Sequence, residues 1–403
     1  MKILIATAGS RGDVAPYTGL GAALRAAGHE VALAATESFA PLAEEAGLAF
    51  RPLPADPRAH GDVRGQRALV RAAAAFLSDL GEGFAAAVDP GTDLLLLSTT
   101  TAPLGWHVTE ATGIPGLGVY LQPTAPTGDF APPVAGTRSL GRTGNRAAGR
   151  FALRMTDRIY APAVARLRAH LDLPPLTPAH ARRRQEKARR PVLHGFSTAL
   201  LPRPSDWADH LSVAGSWWPY VDPGSRLPAD LEAFLTAGPP PVLIGFGSMA
   251  SGHGERLGGI AVRALRRAGL RGVLQSGSAG LAAGGGGDDV LTIGDVPHAL
   301  LFPRLAAVVH HAGAGTSAAA LHAGVPSVSV PVAADQPFWA ARLTTIGAAP
   351  AALPFDSLTP ENLAAALTAA VYDRAYTTAA AAASRHMATE DAANSVLTAV
   401  RRL

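Results

Sequence analysis

The sequence of 403 residues contains no cysteine and, among 35 Lys and Arg side chains, only two lysines, Lys2 and Lys187. The absence of cysteine excludes disulfide bonds, thiolate catalysis and thiolate metal sites. It also suits the reducing cytoplasm, which is the location that we expect for this protein. The scarcity of lysine accompanies an excess of alanine, glycine, proline and arginine, which we interpret as a bias of genome composition rather than a sign of function.

Long apolar runs are also lacking. Glycine, proline and histidine interrupt the uncharged stretches, so none offers the roughly 18 apolar residues that a membrane span needs. The N-terminal run at residues 3–8 is apolar, but the polar residues from Ser10 to Asp13 stop it below the length of a signal peptide. We therefore interpret this run as a first β-strand.

The composition predicts a globular protein of two domains. A hydrophobic content of 48% beside 16% charged residues is ordinary for a folded chain. Single cores stop growing near about 250–300 residues, so the length indicates two of them. Prolines and glycines concentrate between Leu201 and Pro228, which predicts domains at 1–205 and 229–385 joined by a linker at 206–228.

Strand and helix patterns alternate through both halves, which predicts right-handed βαβ units and parallel sheets. The fold class is therefore α/β, with two Rossmann-like doubly wound domains facing each other across a cleft. The predicted helices include 19–27, 145–171, 254–268 and 337–343. The predicted strands are 2–7, 31–35, 49–53, 93–98, 116–121, 211–215, 241–247, 272–275, 290–293, 305–310 and 327–330.

A basic region extends from Arg138 to Arg190. It holds fourteen cationic and three acidic residues, a net charge of +11, so the rest of the chain carries −7 of the total +4. Arginines recur every four residues from Arg138 to Arg158, which would place them on one broad stripe of a helix. The stripe is either a solvated face or a surface for an anionic membrane or acidic acceptor. We expect no nucleic-acid partner, because no aromatic stacking platform interleaves the charges.

The segment from Ala306 to Ser317 predicts a strand, a tight turn and a helix. Glycines at 313 and 315 let the backbone approach a ligand closely, and the free N–H groups of the helix start favour an anion such as phosphate. Gly313 to Ala318 also fits the loose dinucleotide pattern G-x-G-x-x-A, with Asp335 twenty residues after Gly315. The short helix and the proline before that aspartate argue against a dinucleotide site.

Two motifs now carry a resemblance. They are residues 9–16, Gly-Ser-Arg-Gly-Asp-Val-Ala-Pro, and residues 310–316, His-His-Ala-Gly-Ala-Gly-Thr, with Asp335-Gln336-Pro337 downstream. The chain resembles a GT-B glycosyltransferase of the nucleotide-sugar-dependent family 1 type, and is most similar to bacterial antibiotic, glycopeptide-type, and sterol glycosyltransferases. The family usually has glycine where this chain has Ala312, from which we expect only a slight backbone shift. The resemblance implies that a C-terminal helix at 386–403 crosses back to the first domain.

This resemblance implies inverting, metal-independent transfer of a sugar from a UDP- or dTDP-sugar to a hydroxyl of a small-molecule natural product. The nucleotide sugar is then a co-substrate, and no other cofactor and no metal is expected. The absence of any Asp-x-Asp sequence agrees, because metal-dependent transferases rely on such carboxylate pairs. The alternatives are a sterol or glycolipid glucosyltransferase at a membrane surface and a non-catalytic nucleotide-sugar-binding partner protein. We expect a monomer or a homodimer, with peripheral membrane contact through the basic region left open.

The family's roles transfer to matching residues. Asp13 becomes the general base, with a helix cap as the other interpretation, and its place near a helix start predicts a low pKa. Domain 1–205 would bind the acceptor and domain 229–385 the nucleotide sugar. His310 is interpreted as structural. The expected donor-binding residues are His311, Gly313, Gly315 and Thr316 at the diphosphate, Asp335 and Gln336 at sugar hydroxyls, Ser248 at ribose or phosphate, Ser10 and Arg11 at the facing loop, and Val296 along the nucleobase.

Overall fold

The computed structural model describes residues 1–54, 66–247, 252–277, 280–282 and 287–403. Two β-sheets, of seven and five strands, follow one another along this part of the chain. Each sheet has a hydrophobic core on both faces, because alternate residues of one strand enter different clusters. Ile3 and Ile5 face one core of the first sheet, while Leu4 and Ala6 face the other. The predicted α/β fold with two parallel, doubly covered sheets is confirmed.

The first sheet has the strand order β3-β2-β1-β4-β5-β6-β7, and every strand pair in it is parallel. Its central strand β4 consists of four fully buried leucines, as expected for a strand covered on both faces. The strands are β1 (Lys2–Ala6), β2 (Glu30–Thr36), β3 (Ala49–Leu53), β4 (Leu94–Leu97), β5 (Gly116–Tyr120), β6 (Val192–His194) and β7 (Leu211–Val213).

Six α-helices of the described residues lie between the strands of this sheet along the chain. They are α1 (Arg11–Ala26), α2 (Ala40–Glu45), α3 (Gln66–Ala87), α4 (Ala102–Thr112), α5 (Gly141–His170) and α6 (Pro178–Ala188). The predicted start of the first helix at residue 19 is wrong, because α1 begins at Arg11 and continues through Pro16. Val14, Tyr17, Leu20 and Leu24 are all buried at helical spacing, and their burial outweighs the backbone hydrogen bond that the proline removes.

The second sheet has the order β10-β9-β8-β11-β12 and is also parallel throughout. Its strands are β8 (Val242–Gly245), β9 (Gly272–Gln275), β10 (Val290–Ile293), β11 (Ala307–His310) and β12 (Ser327–Ser329). Its helices are α7 (Ala229–Thr236), α8 (Gly254–Ala268), α9 (His298–Leu301), α10 (Ala314–His322), α11 (Gln336–Thr345), α12 (Pro360–Tyr372) and α13 (Arg374–Met387).

The last helix, α14 (Ala392–Val400), packs on the first sheet rather than the second. Val396 and Val400 lie in the same core as Ile3 and Leu33. Strand β7, which falls inside the predicted linker, pairs with β6 at the edge of the first sheet. The exact domain limits stay a prediction.

An apolar cluster joins the two halves. Phe196 and Trp207 from the first half pack with Phe338, Trp339 and Leu343 of α11. Ring contacts such as Phe196 with Trp339, at 6.1 Å between centroids, continue across the junction. This cluster holds the two sheets in one arrangement, in which the loops after β1 and β5 of the first sheet lie close to those of the second.

Candidate functional site

The turn between β11 and α10 has the geometry of an anion site. Strand β11 is buried along its whole length, and Gly313 caps the helix with an extended backbone. Ser317 N–H donates to Gly313 O, which begins the intrahelical ladder. The N–H groups of Ala314, Gly315 and Thr316 precede that ladder and have no intrahelical acceptor. Together with the helix dipole they form a positive end that suits a phosphate.

Two consecutive histidines, His310 and His311, precede this turn and differ in their contacts. His310 is buried, and its Nδ1 accepts a hydrogen bond from the N–H of Ala312 at 3.0 Å, so this ring braces the turn. His311 lies against Gly247 and Gly313, where a Cβ on Gly313 would come within 2.6 Å of His311 Nε2. Burial lowers the pKa of His311 to about 4. The ring is therefore neutral at neutral pH, and its buried Nδ1 has no hydrogen-bond partner among the described residues.

Ala312 shows why this position favours glycine. Its φ is +60°, in the left-handed region, and its side chain is fully buried. An L-residue with a Cβ is strained there by about 1–2 kcal/mol. Ala334, directly before Asp335, has a φ of +57°. Both strained alanines therefore adjoin predicted donor-binding residues, which is where backbone strain is commonly kept.

Asp13 lies across the cleft, in the first turn of α1. Its Oδ2 accepts hydrogen bonds from the N–H and the hydroxyl of Ser10, each at 2.8 Å. Burial raises the pKa of Asp13, the two bonds from Ser10 oppose this, and the charge of Asp335 raises it further. The expectation of a low pKa is wrong because the loss of water around the carboxylate outweighs the helix start and the Ser10 bonds.

The loop before Asp13 admits only glycine at position 9. Gly9 has a φ of +143°, and a Cβ there would come within 2.5 Å of Asp13 Oδ2. Ser10, predicted to help bind the donor, instead places its hydroxyl on the Asp13 carboxylate. The loop therefore holds Oδ2 of this carboxylate, and no hydrogen bond of the described residues reaches its second oxygen, Oδ1.

Arg11 of the first half lies within electrostatic range of His298 of the second half, beside the predicted nucleobase segment. Burial is the main reason why the pKa of His298 falls to about 4, and the positive charge of Arg11 lowers this pKa further. His298 stacks on Phe302 at 4.3 Å between ring centroids. Val296 is partly buried against the neighbouring core.

Asp335 and Gln336 open α11 in different ways. Asp335 occupies the N-cap position, yet its Oδ2 accepts from Trp339 Nε1 at 2.8 Å and from Gln122 Nε2 at 3.1 Å. Burial raises its pKa against these two hydrogen bonds. Gln336 is buried, and its Oε1 accepts from the N–H groups of Val332 and Ala333. Only its Nε2 is left to meet a sugar hydroxyl, so the predicted donor-and-acceptor pair is shared between the two residues.

Not every predicted residue can be placed. Ser248 lies outside the described residues. Conversely, sequence reasoning did not single out Gln122 or Trp339, which hold Asp335. No local pattern marks Gln122, because its partner is 213 positions away.

Two family models match the chain. Residues 3–88 match the glycosyltransferase family 28 N-terminal domain. Residues 281–403 match the C-terminal domain of erythromycin biosynthesis protein CIII-like proteins. The first match contains Asp13. The second contains Asp335 and the turn between β11 and α10, residues 311–316, which is called the anion turn below.

Similar proteins cover nearly the whole chain. O-mycaminosyltylonolide 6-deoxyallosyltransferase of Streptomyces fradiae is 38% identical over 93% of this chain and 91% of its own length. Sterol 3-beta-glucosyltransferase UGT80A2 of Arabidopsis thaliana is 31% identical over 93% of this chain and 61% of its own length. The structure of glycosyltransferase VinC in complex with dTDP matches with a TM-score of 0.71 and 21% identity, over 100% of this chain and 99% of that one.

The GT-B fold is thus confirmed, and the family implied by the two motifs is confirmed independently at both ends of the chain. The protein belongs to the GT-B glycosyltransferases of the family 28 and erythromycin CIII-like type.

Proposed function

We propose that this glycosyltransferase moves a sugar from a UDP- or dTDP-sugar to a hydroxyl of a small-molecule natural product, with inversion and without a metal. The observation that carries the proposal is the pairing of Asp13 with the anion turn across one cleft. Asp13 lies close enough to Asp335 that their charges interact. In this proposal residues 1–205 bind the acceptor, residues 229–385 bind the nucleotide sugar, 206–228 connect them, and 386–403 return to the first half.

Asp13 acts as the general base. Burial raises its pKa, so its carboxylate holds a proton more strongly than an exposed aspartate does, which improves general-base catalysis. Oδ2 is held by Ser10, and Oδ1 accepts the proton of the acceptor hydroxyl. The oxygen of that hydroxyl then bonds to the anomeric carbon as the bond to the diphosphate breaks. Attack from the face opposite the leaving group inverts the configuration at that carbon.

The anion turn stabilises the departing diphosphate. The N–H groups of Ala314, Gly315 and Thr316, the helix dipole, and the His311 ring are fixed donors aimed at the developing charge. The Thr316 hydroxyl adds a further donor. Because these groups belong to the chain itself, we expect turnover to be unchanged when divalent cations are chelated. A loss of activity on chelation that Mg²⁺ restores would contradict the metal-independent mechanism.

The donor and acceptor classes come from the relatives. One relative is named as the 6-deoxyallosyltransferase of O-mycaminosyltylonolide, and a structure with the same fold is a complex with dTDP. We therefore infer a dTDP-deoxysugar as the first donor to test, with UDP-glucose as the alternative. A panel of both classes, scored by thermal shift and by nucleoside diphosphate release, tests the proposal, since a tight ligand raises the melting temperature by mass action. A protein stabilised by no nucleotide sugar would contradict it.

One surface favours the second candidate, a sterol or glycolipid acceptor taken from a membrane. On α5, Phe151, Met155 and Ile159 follow one another at intervals of four and are 60%, 37% and 55% exposed. Each follows an exposed arginine, and these are Arg150, Arg154 and Arg158. No ion pair of the described residues involves these three arginines. An apolar stripe beside a cationic stripe fits the surface of an anionic bilayer.

Other parts of the basic region are structural. Arg168 is 1% exposed and donates to Glu110 and to His107 Nδ1, so it ties α5 to α4. Arg146 pairs with Asp206 at 2.7 Å. Membrane contact therefore concerns the middle of α5 rather than the whole of residues 138–190. No helix of the described residues combines the length and the apolar composition that a membrane span requires.

Vesicle sedimentation distinguishes the two candidates. We expect the wild-type protein to bind vesicles containing phosphatidylglycerol more than phosphatidylcholine vesicles, with binding that falls as salt rises. Phe151→Ser with Ile159→Ser should weaken that binding, while Tyr372→Ser, which alters a side chain 61% exposed on α12, should not. Equal loss in both variants, or no binding at all, would remove the support for a membrane acceptor.

The state of the protein as a monomer or a homodimer stays a prediction that sedimentation velocity can test.

The third candidate, a non-catalytic nucleotide-sugar-binding partner, is disfavoured by the oriented Asp13 carboxylate. A binding protein has no need of a buried base whose second oxygen is left unbound. Release of nucleoside diphosphate by the purified protein, lost in Asp13→Asn, would exclude this candidate.

A further inference from the structure

A side-chain hydrogen bond crosses the cleft beside the proposed sugar site. Gln122 Nε2 donates to Asp335 Oδ2 at 3.1 Å, although the residues are 213 positions apart. Gln122 follows strand β5 of the first sheet by two residues, and Asp335 immediately precedes α11. The bond therefore joins the half that carries the base to the half that carries the anion turn.

Gln122 also borders the base. It lines a cavity of about 50 Å³ together with Asp13, Thr7 and Ser98. The negative charge of Asp335 raises the pKa of Asp13, so the two carboxylates lie within electrostatic range of one another. The Gln122 amide thus contacts one of these carboxylates and shares a cavity with the other.

The side-chain hydrogen bonds of Asp335 all reach the same carboxylate oxygen, Oδ2. Its Oδ2 accepts both Gln122 Nε2 and Trp339 Nε1. Apart from the backbone N–H of Asp335 itself, no further described residue bonds to this carboxylate. Two donors on a single oxygen, one from each half of the molecule, orient the plane of the carboxylate. The remaining oxygen can then accept from one hydroxyl of a bound sugar.

We propose that Gln122 is a positioning residue for the donor sugar. It holds Asp335 across the cleft so that Oδ1 meets a sugar hydroxyl and the anomeric carbon faces the acceptor oxygen at Asp13. The inference rests on the proposed function, because it requires that Asp335 binds the sugar. An amide suits the task, since it donates to Asp335 without adding a third negative charge or competing with Asp13 for the acceptor proton.

The test separates the sugar from the diphosphate. Calorimetry measures the affinity of wild type and Gln122→Ala for UDP-glucose and dTDP-glucose and for UDP and dTDP alone. We expect Gln122→Ala to bind the diphosphate within about twofold of wild type, because the described hydrogen bond of the Gln122 side chain goes to Asp335 and not to the anion turn. The affinity for the matching nucleotide sugar should fall about tenfold or more, as for a lost hydrogen bond to a charged group. Unchanged nucleotide-sugar affinity would overturn the proposal.

A matched control removes another bond between the halves. Arg342 Nε donates to Leu200 O at 3.1 Å, which also ties α11 to the first half but does not reach Asp335. Arg342→Met should leave the ratio of sugar to diphosphate affinity close to wild type. If this variant lowers the ratio as much as Gln122→Ala does, the effect belongs to docking of the two halves and the proposal fails.

Gln122→Glu adds a pH-dependent readout that a merely structural residue would not give. A protonated Glu side chain can donate to Asp335, whereas an ionised one repels both Asp335 and Asp13. Nucleotide-sugar affinity of this variant should approach wild type at low pH and fall below that of Gln122→Ala as pH rises. A flat profile relative to wild type would contradict the proposal. A wild-type protein that binds the diphosphates but gains nothing from either sugar would instead contradict the assignment of Asp335.

Discussion

The first turns of α1 and α10 occupy equivalent places, each after the carboxyl end of a parallel strand, yet they carry opposite chemistry. At its third helical position α1 has Asp13, whose carboxylate accepts from Ser10. At the same position α10 has Thr316, and its first turn holds no acidic residue. The start of α1 thus carries its own carboxylate, whereas in our proposal the start of α10 leaves its N–H groups to an external anion. We propose that the side chain at this third position distinguishes the base site from the anion site.

Burial acts on the two sites in opposite directions. It raises the pKa of Asp13, which strengthens that carboxylate as a base. It lowers the pKa of His311 to about 4, which keeps the imidazole neutral until an anion arrives. The same loss of water therefore favours the protonated form of Asp13 and the neutral form of His311.

The largest expected effect is the loss of turnover when the general base is removed and the anion turn is left intact. Asp13→Asn keeps an oxygen for the Ser10 bonds but removes the charge, so turnover should fall by roughly 10²–10⁴. Initial rates of sugar transfer with the identified donor measure the change. Ser10→Ala is the matched variant, because it removes one bond to the same carboxylate and leaves the base in place. Full activity in Asp13→Asn would contradict the base assignment.

A second change makes the two helix starts alike. Thr316→Asp gives α10 the acidic third position that α1 has, so the anion site should be occupied by its own carboxylate. The affinity for UDP or dTDP should fall about tenfold to a hundredfold, through repulsion between close negative charges. Thr316→Ser preserves the hydroxyl and should bind nearly as well as wild type. Equal affinities in all three proteins would show that the diphosphate lies elsewhere.

A smaller effect concerns protons. The ligand-free pKa of His311 is about 4, and a bound diphosphate should raise it, because a nearby negative charge favours the imidazolium. The pKa is then higher in the complex, so affinity should rise as pH falls through the raised value and level off below about 4. Calorimetry in buffers of different ionisation enthalpy should detect proton uptake on binding. Uptake that persists in His311→Ala would assign the proton to another group.

The smallest effect concerns the strain at Ala312. Its φ of +60° suits glycine, so Ala312→Gly should raise the free energy of unfolding by up to about 1 kcal/mol. Denaturant unfolding measures the change. Diphosphate affinity should remain unchanged, because the turn already holds the required shape. A loss of stability would show that the buried methyl group packs more favourably than the left-handed backbone costs.

Much of the fold could be predicted from the sequence. Every predicted strand lies within two residues of an observed one at each end, because buried parallel strands are short apolar runs bounded by glycine, proline or polar residues. Strand β6, Val192–His194, was missed, since three residues after a basic run carry no periodicity. The early start of α1 was missed because local rules for Pro16 and Gly19 gave way to burial of its apolar face.

Site residues could be predicted only where they lie close together in the sequence. The turn from His310 to Thr316 and the loop around Asp13 are continuous in sequence, so their residue types point to their chemistry. The raised pKa of Asp13 was not predictable, because it depends on how much of the chain packs around the loop. The contact of Gln122 with Asp335 depends on how the two halves dock, which no short pattern encodes.

The most direct test of this account titrates UDP and dTDP into wild type, Asp13→Asn and His311→Ala by calorimetry, beside the turnover of each protein. If the two helix starts do separate tasks, Asp13→Asn binds diphosphate as wild type does while losing turnover. His311→Ala should lose affinity and turnover together, because it lacks a contact to the diphosphate. Unchanged diphosphate affinity in His311→Ala, or an equal loss of affinity in both variants, would contradict the division between base and anion site.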